Sequence, residues 1–258
     1  MSRLRECLPP VLIGLAILLA WEAAVRILAV PHYILPGPLL ILEAMWTDRV
    51  LLLASLGVTL KITLCALAAA AAGGAGLAFA LTRATWLERS LLPYAIVAQV
   101  TPVVAIAPLI ILWIDDAFVA LVVCAWIVAF FPVLANTMTG LKSADPHLHD
   151  LFRLYGASRL QTQAWLEAPS ALPYFLAGLR ISGGLALIGA VVAEFVAGTG
   201  GAQTGLAFRI LEAGYRLQIP RLFAALTLLS LTGIGIYALT SVLSRRALRR
   251  WFGQAPAA

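Results

Sequence analysis

AFVALVVCAWIVAFFPVLANTM, residues 117–138, decides the fold. About 20 predominantly apolar residues suffice for a helix to cross the hydrocarbon core of a bilayer. Five further stretches have the same character, at roughly 9–30, 55–82, 92–113, 177–198 and 222–243. The expected fold is an all-α membrane protein with about six transmembrane helices, in one domain covering residues 1–258. Composition agrees: 62% of the chain is hydrophobic and 12% charged, against about 45–50% and about 25% in soluble domains. The mean hydropathy is +0.96.

The net charge of +6 reads as topology, not as nucleic-acid binding, because the charges sit at the ends of apolar runs. With the N-terminus in the cytoplasm, the cytoplasmic parts hold Arg3, Arg5, Arg83, Arg89, Lys142, Arg153, Arg159, Arg245, Arg246, Arg249 and Arg250, with Arg180 joining them. Arg26, Arg49, Arg209, Arg216 and Arg221 fall outside. That bias places both termini inside, as an even number of spans requires. The apolar run Val11–Val30 is longer than the roughly 7–15 residues of a signal-peptide core, so a retained first helix is expected. Ala23-Ala24-Val25 keeps a cleaved leader as the alternative. Cys7, Cys65 and Cys124 show neither metal-ligand spacing nor pairing.

Several connections have their own signals. The second apolar stretch starts near Val50 and is too long for one perpendicular span, so its first part is expected along the interface, with Lys61 near that surface. A tiny loop at Asp115 and Asp116 follows the third span. The outer loop from Thr199 to Pro220 opens on Gly198, Gly200 and Gly201, and Leu206, Ile210, Ala213 and Leu217 have the spacing of a short amphipathic helix.

The longest loop on the inner side, LKSADPHLHDLFRLYGASRLQTQAWLEAPSALPYFL at residues 141–176, is the most informative. Asp145 caps a helix with Pro146 at its first position. Gly156 supplies the left-handed end after Tyr155. Ser158 and Gln161 form a capping box opening a second helix, which Pro169 and Pro173 are expected to end. Two short helices on a glycine elbow make a structure that can take a push from a partner. On spacing alone, a solvated connector with ordinary caps stands beside that reading.

The loop resembles the EAA loop of binding-protein-dependent ABC importer permeases: Glu-Ala-Ala, three residues, Gly, nine residues, Ile, any residue, Leu-Pro. Asp150-Leu151-Phe152 fall on the opening triplet, Gly156 on the glycine, Leu166 on the isoleucine and Ala168-Pro169 on Leu-Pro. The triplet and Ala168 depart from the pattern, while the Gly-to-Pro spacing is kept. Gly156-Ala157-Ser158, Ala171-Leu172-Pro173 and Ala177-Gly178-Leu179-Arg180 match a common variant. Over roughly residues 50–245, Ala107-Pro108-Leu109, Phe130-Phe131-Pro132 with Asn136-Thr137, and Val191-Val192-Ala193-Glu194 look like the nitrate/sulfonate/taurine branch, to which riboflavin and pyrimidine-precursor permeases are similar.

This resemblance implies a type I ABC importer permease (MetI-like) architecture in a bacterial inner membrane. It implies a homodimer, two ATP-binding cassette subunits below and a periplasmic or extracellular solute-binding protein outside. It places ATPase coupling on Asp150, Leu151, Phe152, Gly156, Ala157, Ser158, Arg159 and Pro169, the contact running to about Trp165. No cofactor, metal or nucleic acid is implied. The chain has two lysines, Lys61 and Lys142, neither in a GxxxxGK[ST] loop, so ATP hydrolysis is expected in a separate subunit.

Charges inside spans cost roughly 2.5–3.5 kcal/mol on insertion scales and need a reason. Glu22 and Arg26, four apart, can neutralise each other or make an inter-subunit contact. Glu194, near the outer end of the fifth span, either lines the translocation path as a gate or is a structural carboxylate. Gly73, Gly74, Gly76, Gly183 and Gly184 permit close helix packing. Pro102 and Pro108 are expected to kink the third span, and Trp21, Trp86 and Trp113 to anchor span ends. His147 and His149 read as solvated loop residues. The competing function, an ion-coupled secondary transporter, predicts inverted repeats and coupled mid-membrane charges, and an enzyme predicts clustered His, Asp or Ser. The sequence shows neither. The substrate is open between small oxyanions or sulfonates and flat heterocycles.

Overall fold

The computed structural model describes residues 2–198 and 204–252, without the side chains of 2–8, 10 and 252. The glycine-rich start of the outer loop at Gly200 and Gly201, and the side chain of Cys7, lie outside the described residues. Among the described residues the protein is all helical, without strands. The helices are α1 (Ser2–Ile27), α2 (Pro38–Thr47), α3 (Arg49–Thr82), α4 (Thr85–Val100), α5 (Val103–Trp113), α6 (Ala117–Lys142), α7 (Pro146–Leu154), α8 (Arg159–Thr162), α9 (Ala168–Ala197), α10 (Leu206–Tyr215) and α11 (Ile219–Phe252). A π-helical turn, Gln163–Glu167, joins α8 to α9.

Four helical rods are long and apolar enough to cross a membrane, and a bent pair makes a fifth if it is one span. They are Arg49–Thr82, Ala117–Lys142, Arg159–Ala197 and Ile219–Trp251, with Thr85–Val100 and Val103–Trp113 as the pair. The expected third span, 92–113, is therefore broken, not kinked: α4 and α5 meet at 100°. The break sits at Thr101-Pro102, where both residues are extended. Proline disfavours helical geometry at the residue before it. Pro108 lies inside α5 without ending it. The second span is one unbroken 34-residue helix, Arg49–Thr82, so its first part is not a separate segment. The described side chains of α1 are exposed on every side from Val11 to Ala20, as on a helix facing lipid or another subunit.

The chain forms two compact units, Met1–Val58 with Gly200–Ser230, and Thr59–Thr199 with Leu231–Ala258. In the first, Glu22 accepts from Arg26 Nε at 2.7 Å and from Leu39 N at 3.2 Å. It thus neutralises its neighbour and also caps α2 from a distance, taking up one of the free N–H groups of that helix start. Gly37 makes room for it, since a Cβ there would meet Glu22 Oε2 at 2.7 Å. Trp21 packs inward: its Nε1 is buried and its ring lies 6.4 Å from that of Phe223. Arg221 clamps Asp48, the C-cap of α2, through two bonds of 2.5 and 2.8 Å.

The expected amphipathic helix is α10, which buries Leu206, Ala207 and Ala213. Leu217 is not on its buried face: it lies past the helix end at φ 55° and is 75% exposed. On α10, the hydrogen bond from Arg209, with the charges of Arg216, Arg209 and Arg221, outweighs partial burial and holds the Glu212 carboxyl below its ordinary range.

The second unit is built on α3, α6 and α9. Leu81, Leu134, Met138, Leu141 and Ala171 form one core cluster, and Leu67, Ala70, Ala129, Val133 and Ala186 another. Lipid gives helices no hydrophobic reason to associate, so close approach and hydrogen bonds must hold them. α6 and α9 run antiparallel along a seam of small residues. A Cβ on Gly140 would lie 2.7 Å from Ala171 Cα, on Gly178 2.8 Å from Pro132 O, and on Gly189 2.8 Å from Ala125 Cα. Between them Ser182 Oγ donates to Ala129 O at 2.6 Å. Of the expected packing glycines, a Cβ on Gly74 would lie 2.9 Å from Val133 Cβ and one on Gly183 2.9 Å from Ile236 Cγ2. Gly76 and Gly184 face open space.

Candidate functional site

The loop after α6 is ordered by its own sequence. Asp145 Oδ1 accepts from His147 N at 2.8 Å, and Pro146 opens α7. Gly156 takes φ 69°, and the turn closes through Ala157 N to Phe152 O at 2.9 Å. A side chain with a Cβ at that left-handed φ costs roughly 1–2 kcal/mol. Ser158 and Gln161 then form the capping box, with bonds of 2.8 and 3.3 Å in its two directions.

The second half of the elbow differs from expectation. Pro169 and Pro173 do not end a short helix; the rod continues from Arg159 to Ala197. The π turn explains this. Proline removes one ladder bond and clashes with the carbonyl four residues back. In Gln163–Glu167 the ladder is wider, and Ala168 N bonds Gln163 O, so the strain of Pro169 is absorbed where the pitch is already changed. The elbow is one short helix set against the leading end of a long one.

The elbow presents apolar side chains to its surroundings. Leu151, Leu154, Tyr155 and Leu160 are 44%, 85%, 82% and 61% exposed. Asp150 is exposed and only loosely paired with Arg153, at 3.6 Å. Phe152 and Ala157 are half-buried, as is Pro169, and Arg159 is exposed. Asp150 to Arg159 thus form one continuous surface, while Pro169 sits a few turns along the rod.

Sequence reasoning missed what ties the elbow down. Gln163, buried, donates through Nε2 to Phe79 O at 2.9 Å and Thr82 Oγ1 at 3.3 Å, and accepts from Arg83 Nε at 3.0 Å. It takes up Phe79 O, one of the carbonyls at the end of α3. Lys142 Nζ bonds Glu88 Oε1 at 2.6 Å. His149 is not a freely solvated residue: its Nε2 lies 3.9 Å from Glu167 Oε1. No single motif marked these pairs, because each joins positions far apart in sequence. Among the described residues, no group of His, Cys, Asp and Glu could hold a metal.

Glu194 is 4% exposed near the far end of the same rod. Thr59 Oγ1 donates to its Oε1 at 2.8 Å, and Thr63 Oγ1 donates to Thr59 O at 2.8 Å. Arg180, lower on α9, keeps a buried Nε without a hydrogen-bond partner.

Broken and continuous apolar rods, a small-residue seam and an ordered elbow between two spans define a helical membrane permease. Residues 72–251 match the family described as binding-protein-dependent transport system inner membrane component, and the chain belongs to it. It is 36% identical over 242 residues to the riboflavin transport system permease protein RibX of Chloroflexus aurantiacus, covering 91% of this chain and 87% of that one. It is 34% identical over 235 residues to the formylaminopyrimidine transport permease protein ThiX of Halalkalibacterium halodurans, covering 91% and 92%. The fold is shared with the crystal structure of an amino acid ABC transporter with histidines, at a TM-score of 0.63 and 19% identity, over 79% of this chain and 97% of that one. The protein is thus a non-catalytic ABC permease component, with ATP hydrolysis in a separate subunit.

Proposed function

We propose that this chain forms the translocation path of an ATP-driven importer for a small flat heterocycle of the flavin or pyrimidine kind, handed over by a solute-binding protein. The working assembly is a homodimer of the whole chain, 1–258, as one transmembrane domain. Two ATPase subunits dock on the elbow in the cytoplasm and the binding protein sits on the opposite side. Both termini face the cytoplasm of a bacterial inner membrane. The observation that carries the reading is the elbow. A capped, stiff turn leaves Leu151, Leu154, Tyr155 and Leu160 uncovered, and clustered exposed apolar side chains mark a partner's seat.

Asp150, Leu151, Phe152, Gly156, Ala157, Ser158 and Arg159 form that seat, with Pro169 transmitting its motion into α9. Glu194, latched to Thr59, is the gate. The heterocycle is supported by the two relatives matched over nine-tenths of this chain, named for riboflavin and formylaminopyrimidine. A carboxylate at the gate also disfavours an anionic cargo. An ion-coupled carrier is not favoured by the family match.

The test is co-purification with the neighbouring ATPase and binding protein in detergent, followed by uptake in liposomes. Gly156→Val places a β-branched residue at φ 69° and is expected to lose roughly tenfold or more in ATPase retention, from a strain of about 1–2 kcal/mol. Uptake of riboflavin or a pyrimidine, but not of a sulfonate, is expected from the intact complex. Uptake by the chain alone under an ion gradient would sink this reading.

A further inference from the structure

A cavity of about 490 Å³ opens between the elbow and the end of α3, lined among others by Arg83, His149, Arg153, Arg159 and Glu167. Its size falls within the roughly 300–1,000 Å³ of small-molecule sites. Its charge is unbalanced. Among the described residues, neither Arg83 nor Arg159 has a carboxylate within ion-pair distance, and Arg153 has only the loose contact with Asp150 at 3.6 Å. The single carboxylate of the lining, Glu167, faces His149.

Arg83 is also pre-set. Gln163 holds its Nε at 3.0 Å, which leaves the outer edge of the guanidinium free to grip two oxygens of one anion. Phosphate is the chemistry that such a fork and two further arginines would take.

The position says where the phosphate comes from. Arg83 directly follows the last residue of α3, a helix long and apolar enough to span, so the cavity lies at the end of a candidate span, where basic side chains meet headgroups. Two indoles lie close by in the chain, Trp86 at 70% and Trp165 at 76% exposure, the residue type that settles at that level. Basic pockets at the membrane surface hold acidic lipid headgroups. We propose that this cavity binds the phosphate of an acidic phospholipid in the leaflet on the elbow's side, gripped by Arg83, Arg153 and Arg159. Arg159 also borders the seat proposed above, so lipid binding is read on the permease alone, without ATPase, and its failure is distinguishable from a failure of docking. An acidic segment of a partner protein is the competing occupant.

The experiment uses the full-length chain purified in mild detergent, read by native mass spectrometry and thermal melting. The probes are phosphatidylglycerol, phosphatidylcholine and inorganic phosphate, each added alone. Phosphatidylglycerol is expected to remain bound and raise the melting temperature, and phosphatidylcholine to do neither. The Arg83→Gln/Arg159→Gln double variant is expected to bind phosphatidylglycerol roughly thirtyfold more weakly, about fivefold for each arginine. Arg249→Gln/Arg250→Gln, removing as much charge at the end of α11, should bind it as the unaltered protein does. Equal retention of both lipids overturns the proposal, as does equal loss in the two double variants. A melting shift given by inorganic phosphate and not by phosphatidylglycerol overturns the lipid assignment. Undiminished lipid binding by the Arg83/Arg159 variant hands the cavity to a protein partner.

Discussion

Glu194 shows how one residue can be half legible. Its sequence position marks a carboxylate deep in an apolar run, which has to be satisfied. Its partner, Thr59, lies 135 positions away, and nothing in the local pattern of α3 singles out that threonine. Glu194→Gln keeps the acceptor oxygen and removes the charge. The bond then falls from the charged to the neutral class, a loss of about 1 kcal/mol, so basal ATPase or uptake rate should shift about fivefold with assembly intact. Thr59→Val should shift the same rate in the same direction. Unaltered kinetics in both would remove Glu194 from the gate and leave it a packing role. Glu22 teaches a related lesson: its pairing with Arg26 follows from a four-residue spacing, but its bond to Leu39 N needed the chain to turn back on itself.

Among the elements, the long apolar helices and both caps of the elbow were readable, because each depends on neighbours within one or two turns. The α6–α9 seam was not. Gly140 and Gly189 resemble any other glycine of an apolar run, and only the antiparallel register reveals that they meet backbone. Overpacking of a filled core costs about 1–3 kcal/mol. Gly178→Ala and Gly189→Ala should each lower stability in detergent by about 1–3 kcal/mol, seen as a lower melting temperature. Gly76→Ala, facing open space, should leave it unchanged or raise it, since alanine suits a helix better by about 1 kcal/mol. Equal effects at all three positions would deny the seam. The break between α4 and α5 was half visible: Pro102 announced a distortion, but proline alone does not say whether a helix bends or parts.

At the scale of the molecule, parity is the open quantity. Four rods, with the bent pair counted as one span, make five crossings, which puts the chain ends on opposite sides of the bilayer. With α1 as a sixth, they share a side. The excess of arginine at both ends favours the second arrangement. Cysteine probes placed near each terminus, labelled in intact cells with a membrane-impermeant reagent, should both stay unlabelled. Reaction at one end alone would show an odd number of crossings, from α1 staying on one side or from the bent pair turning back.

Arg159, at the end of the proposed seat, and Glu194 lie on a single rod, Arg159–Ala197. Those 39 residues amount to about 58 Å at the usual rise per residue, nearly twice the roughly 30 Å of hydrocarbon they traverse. A tug at the arginine end therefore needs no relay of loosely packed side chains to be felt at the carboxylate. Under the proposed docking it travels as axial displacement or torque along one continuous helical shaft, whose ladder lacks the N–H groups of Pro169 and Pro173, and the wider turn at Gln163–Glu167 is where that shaft would yield first.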